Sequence, residues 1–253
     1  YNAVATSPGF GGGHSIGACW GDFDNDGQFD LFAGNFAHID SRGDQPKSRF
    51  LRNLGPKGKY HFEDMGTCGV FYQESYASPA AGDYDNDGNL DLFFTTVYGT
   101  ASFGKKNFPV LYRNAGRFVF TDVTEKAGVA NLPPTYQAAW ADFNHDGQLD
   151  LVSGGKLFVN NGNKNHWIEV RLVGDGVKVN RSAIGAQVRI RGNRTWTRQV
   201  EAGTGEGNQN DLTLHFGLGD NNGPVDLDVT WPNRKTQRVS TRVDRIVEVR
   251  YKE

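Results

Sequence analysis

Three short acidic windows contain most of the residues in this chain that could do chemistry. They lie at residues 22–30, 83–91 and 142–150, and each follows the pattern D-x-[DN]-x-D-G-x-x-D. Together they hold 11 of the 21 aspartates in the 253-residue sequence. Hard cations such as calcium take six to eight oxygen ligands at roughly 2.3–2.6 Å, and carboxylates at alternate positions of a tight loop supply such oxygens. The pattern therefore predicts three calcium-binding loops.

The predicted ligands occupy the first, third, fifth, seventh and ninth positions of each loop. The sixth position is glycine, which allows a sharp turn by adopting a positive φ, and the seventh residue contributes its backbone carbonyl. Without a cation, the clustered carboxylates would repel one another. An asparagine replaces one aspartate in the third loop, so that loop is predicted to bind calcium most weakly. The predicted ligands are Asp22, Asp24, Asp26, Gln28 and Asp30; Asp83, Asp85, Asp87, Asn89 and Asp91; and Asp142, Asn144, Asp146, Gln148 and Asp150.

Two other interpretations of the windows are less favourable. An EF-hand needs a bidentate Glu at the twelfth position and flanking helices, but the twelfth residues here are Ala33, Phe94 and Ser153. A simple turn would explain one Asp-Asn-Asp-Gly run. It does not explain three copies that each keep the ninth-position aspartate, and metal binding does.

The windows mark an internal repeat. Their first aspartates are 61 and then 59 residues apart, and each period contains about four strand signals, in the second period at 75–82, 90–97, 109–113 and 118–122. Glycine, which disfavours helix, makes up 33 of 253 residues. Four antiparallel strands in a repeated unit are typical of a propeller blade. The sequence thus predicts an all-β fold with three propeller-type, four-stranded blades in residues 1–162.

The remaining residues, 163–253, contain no acidic loop but alternate in polarity. Strands are predicted at 167–173, 187–191, 212–216, 225–231 and 245–251, each with one buried face. This pattern predicts a β-sandwich-like domain, with the boundary in the polar run 160–165. Trp20 and Trp140, which stand two residues before the first and third loops, are predicted to be core anchors.

Three blades make an incomplete ring, because propellers usually have four to eight. Two explanations stay open. Further blades precede these in a longer polypeptide, which fits a sequence that begins with Tyr1. Alternatively, neighbouring subunits complete the array, since unpaired strand edges recruit other chains.

The repeats resemble the FG-GAP/VCBS calcium-binding propeller repeats. The stretch from about 166 to 249 resembles the ASPIC/UnbV domain that follows such repeats in cartilage-acidic-protein-like proteins. The second resemblance rests on three runs: NRSAIGA at 180–186, NDLTLHFGLG at 210–219 and VTWP at 229–232. Together the two resemblances cover nearly the whole chain.

The resemblance implies an extracellular, secreted, non-enzymatic protein that binds about three calcium ions and acts in adhesion to a protein or glycan ligand. The alternative is a subunit of an extracellular polymer that self-associates through open blade edges. In an extracellular protein Cys19 and Cys68 either form a disulfide or are two small buried side chains. A formal net charge of −2 gives no reason to expect a nucleic-acid partner. No apolar run is long enough to span a membrane, and no catalytic residues are predicted.

Overall fold

The structure is a computed structural model that describes residues 14–36, 47–71, 76–100, 104, 106–192 and 194–252. Across these ranges the regular elements are eighteen β-strands in five small sheets, without an α-helix. The all-β, propeller-type architecture is thereby confirmed. The number of sheets is five, whereas three blades were predicted, because the region after the third repeat contributes two sheets of its own. Nor does the described part of the chain contain a helix with the length and apolar character that crossing a membrane requires.

The first two repeats each form a four-stranded antiparallel sheet whose consecutive strands are neighbours. In both sheets the acidic loop connects the first strand to the second. The first sheet consists of β1 (His14–Gly21), β2 (Asp30–Phe36), β3 (Arg49–Asn53) and β4 (Phe62–Gly66). The second consists of β5 (Tyr76–Gly82), β6 (Asp91–Thr96), β7 (Val110–Asn114) and β8 (Phe120–Asp122).

The third sheet has three described strands instead of the predicted four. These are β9 (Ala138–Ala141), β10 (Asp150–Ser153) and β11 (Lys156–Phe158). After β11 the chain crosses to the second acidic loop, where Asn165 Nδ2 donates to the Asp85 carbonyl at 2.8 Å. Residues 159–165 form no strand of this sheet, and the next strand belongs to a different sheet.

The second sheet is packed on both faces, which explains why every residue of β6 is buried. Because strand side chains alternate between faces, Phe94 packs into a core shared with Phe32 and Phe50 of the first sheet. Phe93 points the other way, into a core shared with Trp140 of the third sheet. The three sheets are therefore stacked face to face in chain order.

Two further sheets enclose a single separate core that contains Phe216 and Trp231. One sheet contains β15 (Leu214–Gly219), β12 (His166–Val173) and β18 (Arg245–Arg250); the other contains β14 (Thr195–Gln199), β13 (Gln187–Arg191), β16 (Val225–Thr230) and β17 (Thr236–Thr241). In the first of these sheets β12 pairs in parallel with β18, while the remaining pairs are antiparallel. Strands β14 and β17 were not predicted.

A segment between β14 and β15 lies against the first strands of all three repeat sheets. We call residues 203–211 the central segment. Its Gly205 amide donates to the Ala18 carbonyl of β1 at 2.8 Å, and its Glu206 amide donates to Ser78 Oγ of β5 at 2.6 Å. Its Asp211 amide donates to the Trp140 carbonyl of β9 at 3.0 Å. Since β1, β5 and β9 are edge strands, the central segment satisfies backbone groups that an open array would leave unpaired.

Candidate metal centres

The first aspartate of each loop anchors the turn to its own backbone. Asp22 Oδ2 accepts from the Gly27 amide at 3.1 Å, Asp83 Oδ2 from the Gly88 amide at 2.9 Å, and Asp142 Oδ2 from the Gly147 amide at 2.7 Å. These glycines, at the sixth loop position, have φ between 82° and 93°. Their positive φ lets the backbone turn back on the carboxylate.

The ninth aspartate ties each loop to the neighbouring strand. Both oxygens of Asp91 accept backbone amides, from Tyr84 at 3.1 Å and from Asn114 at 2.8 Å. Asp30 and Asp150 make the same pair of bonds in the first and third sheets. The ninth carboxylate is thus held at one place in each sheet, opposite the first.

In the first two loops the carboxylates of the first, third and ninth positions converge. Ligand oxygens of Asp22, Asp24 and Asp30 lie within 4.8 Å of one another, as do those of Asp83, Asp85 and Asp91. The fifth-position carboxylates are not part of these groups. They accept the amides of the seventh residues at 2.9 Å in all three loops: Asp26 from Gln28, Asp87 from Asn89, and Asp146 from Gln148.

The third loop brings together a different set of groups. We call residues 163–253 the C-terminal region. Ligand atoms of Asp142, of His145 and of Glu169 in strand β12 of this region lie within 4.8 Å of one another. Asp150 is not in this group, and Asn144 donates to Asp146 Oδ2 at 2.9 Å. His145 is exposed, and its ring approaches two carboxylates.

An arginine on the third strand of each of the first two sheets pairs with the acidic loop. Arg52 Nε donates to Asp24 at 2.7 Å, and Arg113 pairs with both Asp85 and Asp87. Val159 occupies the corresponding position in the third repeat. Four aspartates and one arginine give −3 in each of the first two loops, and three aspartates without an arginine also give −3 in the third. The Asn144 replacement is thus matched by loss of the arginine, so loop charge gives no reason to rank the third site weakest.

Burial makes these carboxylates costly to ionise without a cation. It raises the pKa of Asp22 to about 7, against the opposing effect of Arg198 and with the support of the neighbouring Asp26 and Asp24. It raises the pKa of Asp30 to about 8, although backbone hydrogen bonds lower it in part. Burial first, and then neighbouring carboxylates, also raise the pKa values of Asp83 and Asp91.

One buried carboxylate oxygen, Asp83 Oδ1, has the environment expected of a cation ligand. Asp83 is 1% exposed, and its Oδ1 has no hydrogen-bond partner among the described residues. An unpaired buried carboxylate oxygen is unfavourable unless a metal or another donor meets it. The donor set of oxygen atoms alone in the first two loops suits a hard cation.

Sequence reasoning missed Arg198, the buried cation behind the loops. Its side chain is nearly enclosed, and its Nε and Nη2 atoms have no hydrogen-bond partner within the part of the chain that the structure describes. It lines a cavity of about 110 Å³ together with Asp83, Asp142, Glu169 and Glu201. The sequence carried no signal for this position, because Arg198 sits in a polar run that was not predicted to be a strand.

Of the two alternatives open for Cys19 and Cys68, the structure contains the unbonded one. Cys19 and Cys68 are free thiols in the core between the first two sheets, where Cys68 Sγ contacts the Met65 carbonyl at 3.3 Å. Burial raises the pKa of both thiols, that of Cys68 to about 11. The other interpretation, two small side chains packed in the core, describes this arrangement.

The prediction that both loop tryptophans are core anchors is correct for Trp140 and wrong for Trp20. Trp140 is 4% exposed and its Nε1 donates to the Ala80 carbonyl of the second sheet at 3.1 Å. Trp20 is 46% exposed, because among the described residues no sheet stacks on that side of the first sheet.

The stacked sheets and their acidic loops define a repeat protein with propeller-type β architecture, and comparison with known families agrees. Residues 83–153 match the family model described as FG-GAP-like repeat, and residues 176–253 match the one described as ASPIC and UnbV. These two matches confirm the resemblance seen in the sequence. The chain is also similar to cartilage acidic protein 1 from three vertebrates, at 25–28% identity.

The similarity extends over most of this chain but only part of the relatives. It covers 252 residues at 25% identity in the mouse protein, which is 94% of this chain and 37% of that protein. In the Xenopus tropicalis protein it covers 235 residues at 28% identity, 88% of this chain and 34% of that protein. The chain therefore spans about a third of the length of the curated relatives it matches.

Proposed function

We propose that this chain is a non-enzymatic calcium-binding module of an extracellular protein, in which the ions are structural. The observation that carries the proposal is the recurrence of one acidic loop at the same place in three stacked sheets. The unpartnered Asp83 Oδ1 supports it further. The relatives' name refers to cartilage, which supports an extracellular place for this chain as well.

The residues that would hold each ion are those at the first, third, fifth and ninth loop positions, with the carbonyl of the seventh. Calcium would supply two positive charges to each group of carboxylates. The chain's own contribution is to hold the ligands in place: amides fix the first and ninth aspartates, and Arg52 and Arg113 fix the third. In the third loop Glu169 and His145 are near Asp142 and are available as additional ligands.

Native mass spectrometry with and without EDTA tests metal binding. We expect three ions on the wild type and two on Asp83→Asn, a change that keeps the size of the side chain at a position that is aspartate in all three loops. Asp220→Asn, an exposed aspartate outside the loops, is the control and should keep three ions. EDTA should lower the melting temperature, since a ligand at 1,000 times its Kd stabilises the folded state by about 4 kcal/mol per site. A protein that takes up no ion and melts identically in EDTA would refute the proposal.

The cellular role we propose is adhesion, through a protein or glycan ligand bound by the calcium-loaded module. Bound ions make the module rigid, and a rigid module loses little entropy when it binds a ligand. Carbohydrate and matrix-protein arrays, probed in calcium and again in EDTA, test this role. Binding that is present in calcium and lost in EDTA supports it, and arrays without a binding partner argue against it.

A second candidate, a subunit of a self-associating polymer, is favoured by one observation. Stacking of the sheets covers the second residue of each loop in turn. Phe23 is 0% exposed and Tyr84 is half-buried, but Phe143 of the third sheet is 69% exposed. At the other end of the stack Trp20 is exposed where its counterpart Trp140 is covered. The exposed surfaces at the two ends of the stack therefore correspond to the two sides of the contact that joins neighbouring sheets. We propose that a second copy of this chain binds there, with its Trp20 end against the Phe143 end of the first.

Sedimentation velocity over a hundredfold range of concentration tests the second candidate. We expect a mass that grows with concentration in the wild type and stays monomeric in Phe143→Ser. Val177→Ser, which alters an exposed apolar side chain in the C-terminal region, should behave as the wild type. A wild type that is monomeric throughout would reject assembly from this chain alone.

A further inference from the structure

The C-terminal region contacts the metal loops at one repeated position, the glycine at their sixth residue. Thr195 and Thr197 face Gly27 in the first loop, and Trp196 faces Gly88 in the second. In the third loop a Cβ on Gly147 would overlap the indole of Trp167. At Gly88 and Gly147 the glycine therefore has a second role beyond turning the chain, because a Cβ there would overlap a tryptophan of the C-terminal region. At Gly27 the contact is looser, and Thr195 would have to shift only slightly.

Hydrogen bonds reinforce these contacts at the first loop. Arg189 Nη2 donates to the Gly27 carbonyl at 3.0 Å, and the Thr195 amide donates to the Asn25 carbonyl at 3.2 Å. Both acceptors belong to the turn that carries the ligand residues. The C-terminal sheet thus holds the backbone of the first loop from outside.

The second loop is held more extensively. Arg194 donates to the Asp87 carbonyl and to Asn89 Oδ1, both at 2.8 Å. The Gly217 amide of β15 donates to Asp83 Oδ2 at 3.1 Å, and the Gly219 amide donates to the Asn86 carbonyl at 2.9 Å. Asp83 is the carboxylate whose other oxygen is unpartnered. One side chain thus connects the C-terminal sheet to the predicted metal position.

We propose that the three metal loops are the docking surface of the C-terminal region, so that metal binding and docking stabilise each other. The inference rests on the proposed calcium binding. The physical basis is that both events order the same turn. An ion bound in the loop fixes the turn against which the C-terminal region packs, and docking of that region fixes the same turn for the ion. Coupling of this kind is reciprocal, and it typically amounts to 5–150-fold in affinity.

Trp167→Ala tests one direction of the coupling. This half-buried side chain covers the third loop and carries no charge, so its removal changes packing without changing the electrostatic attraction for the ion. We expect calcium affinity to fall about tenfold at one of the three sites and to stay unchanged at the other two. Trp167→Phe, which keeps a ring over Gly147, should recover most of the loss. Calorimetric titration measures all three sites in the intact chain.

Hydrogen exchange in the wild type tests the other direction and does not depend on a variant that folds. Removing calcium with EDTA should speed exchange about tenfold at residues 194–219, which include the amides of Thr195, Gly217 and Gly219. Strands β16 and β17, which pair with each other along their length, should change much less and provide the internal control.

The outcomes separate this inference from the proposed function. A wild type that binds no calcium refutes the proposed function. A wild type that binds three ions, with unchanged affinities in Trp167→Ala and equal exchange at 194–219 in calcium and EDTA, overturns the coupling and leaves calcium binding intact.

Discussion

Three asparagines at one repeat position allow the contact between sheets to be measured within a single protein. Asn53, Asn114 and Asn160 each end the third strand of their sheet or follow it, and each accepts the amide of the glycine two residues later. Their Nδ2 groups differ in the carbonyls to which they donate. Asn114 donates to the Phe23 carbonyl of the previous sheet at 3.0 Å, and Asn160 donates likewise to the Tyr84 carbonyl at 2.8 Å.

Asn53 has no such bond to a preceding sheet among the described residues. Its Nδ2 donates within its own sheet, to the Phe29 carbonyl at 3.2 Å. Asn53 and Asn160 are both half-buried, so comparison of their alanine variants isolates what the bond between sheets contributes. Asn114 is fully buried, and its variant measures the same bond at full burial.

The expected costs follow from burial. Asn114→Ala leaves the buried carbonyls of Phe23 and Leu90 without their donor, and each unsatisfied group costs about 1–3 kcal/mol. We expect a total of about 4 kcal/mol. Asn160 is half-buried, so water replaces part of the loss, and we expect about 2 kcal/mol. Asn53→Ala should cost about 1 kcal/mol, the net value of an ordinary hydrogen bond.

Guanidinium unfolding in saturating calcium, followed by tryptophan fluorescence, measures the series. Asn222→Ala, an exposed position before β16, is the control and should be within about 0.5 kcal/mol of the wild type. Equal costs at the three positions, or the largest cost at Asn53, would refute the assignment of these asparagines as ties between sheets.

Three further predictions concern residues outside the loops. Burial raises the pKa of Glu201 from 4.5 to about 7. The native state therefore keeps a proton that the unfolded chain releases, and stability should fall as pH rises from 4.5 to 7, by up to about 3 kcal/mol. Unfolding of Glu201→Gln over this pH range should lack that part of the slope, and an unchanged slope would contradict the role of Glu201. Cys19 and Cys68 should react as two thiols with Ellman's reagent after denaturation without reductant, and slowly before it; fewer than two thiols would demonstrate a disulfide. Trp140→Ala should lower the free energy of unfolding by about 4 kcal/mol and Trp20→Ala by about half as much, because Trp20 is already half-exposed. Equal costs in dilute solution would mean that another chain covers Trp20.

Much of the fold was predictable because residues close together in the sequence determine the turn and the strands of each repeat. Strand β13 (Gln187–Arg191) lies where the sequence predicts it, and the strands of the second sheet begin and end within about two residues of their predicted bounds. Aspartate and glycine at fixed spacing determine a turn within nine residues. The alternation that flanks the turn then sets which face of each strand is buried.

The missed features depend on contacts between distant parts of the chain. Arg113 lies in a predicted strand, and the repeated Arg-Asn pair at 52–53 and 113–114 was a signal that could have indicated the role of both arginines. Arg198 gave no such signal, since its burial depends on loops more than 100 residues earlier in the chain. Glu169 approaches the third loop only because β12 packs there, and no local pattern encodes that approach.

The contacts of residues 189–211 with the early repeats have a consequence for how the protein is made. Glu206 contacts Ser78 across 128 residues, and Arg189 contacts Gly27 across 162. At 5–20 residues per second, a ribosome takes roughly six to thirty seconds to add the later partner. During that time the first strands of the three repeats emerge with unpaired edges, which are the groups that drive mispairing between nascent chains. A part of the chain that is synthesised later therefore protects the edges of strands that are synthesised earlier.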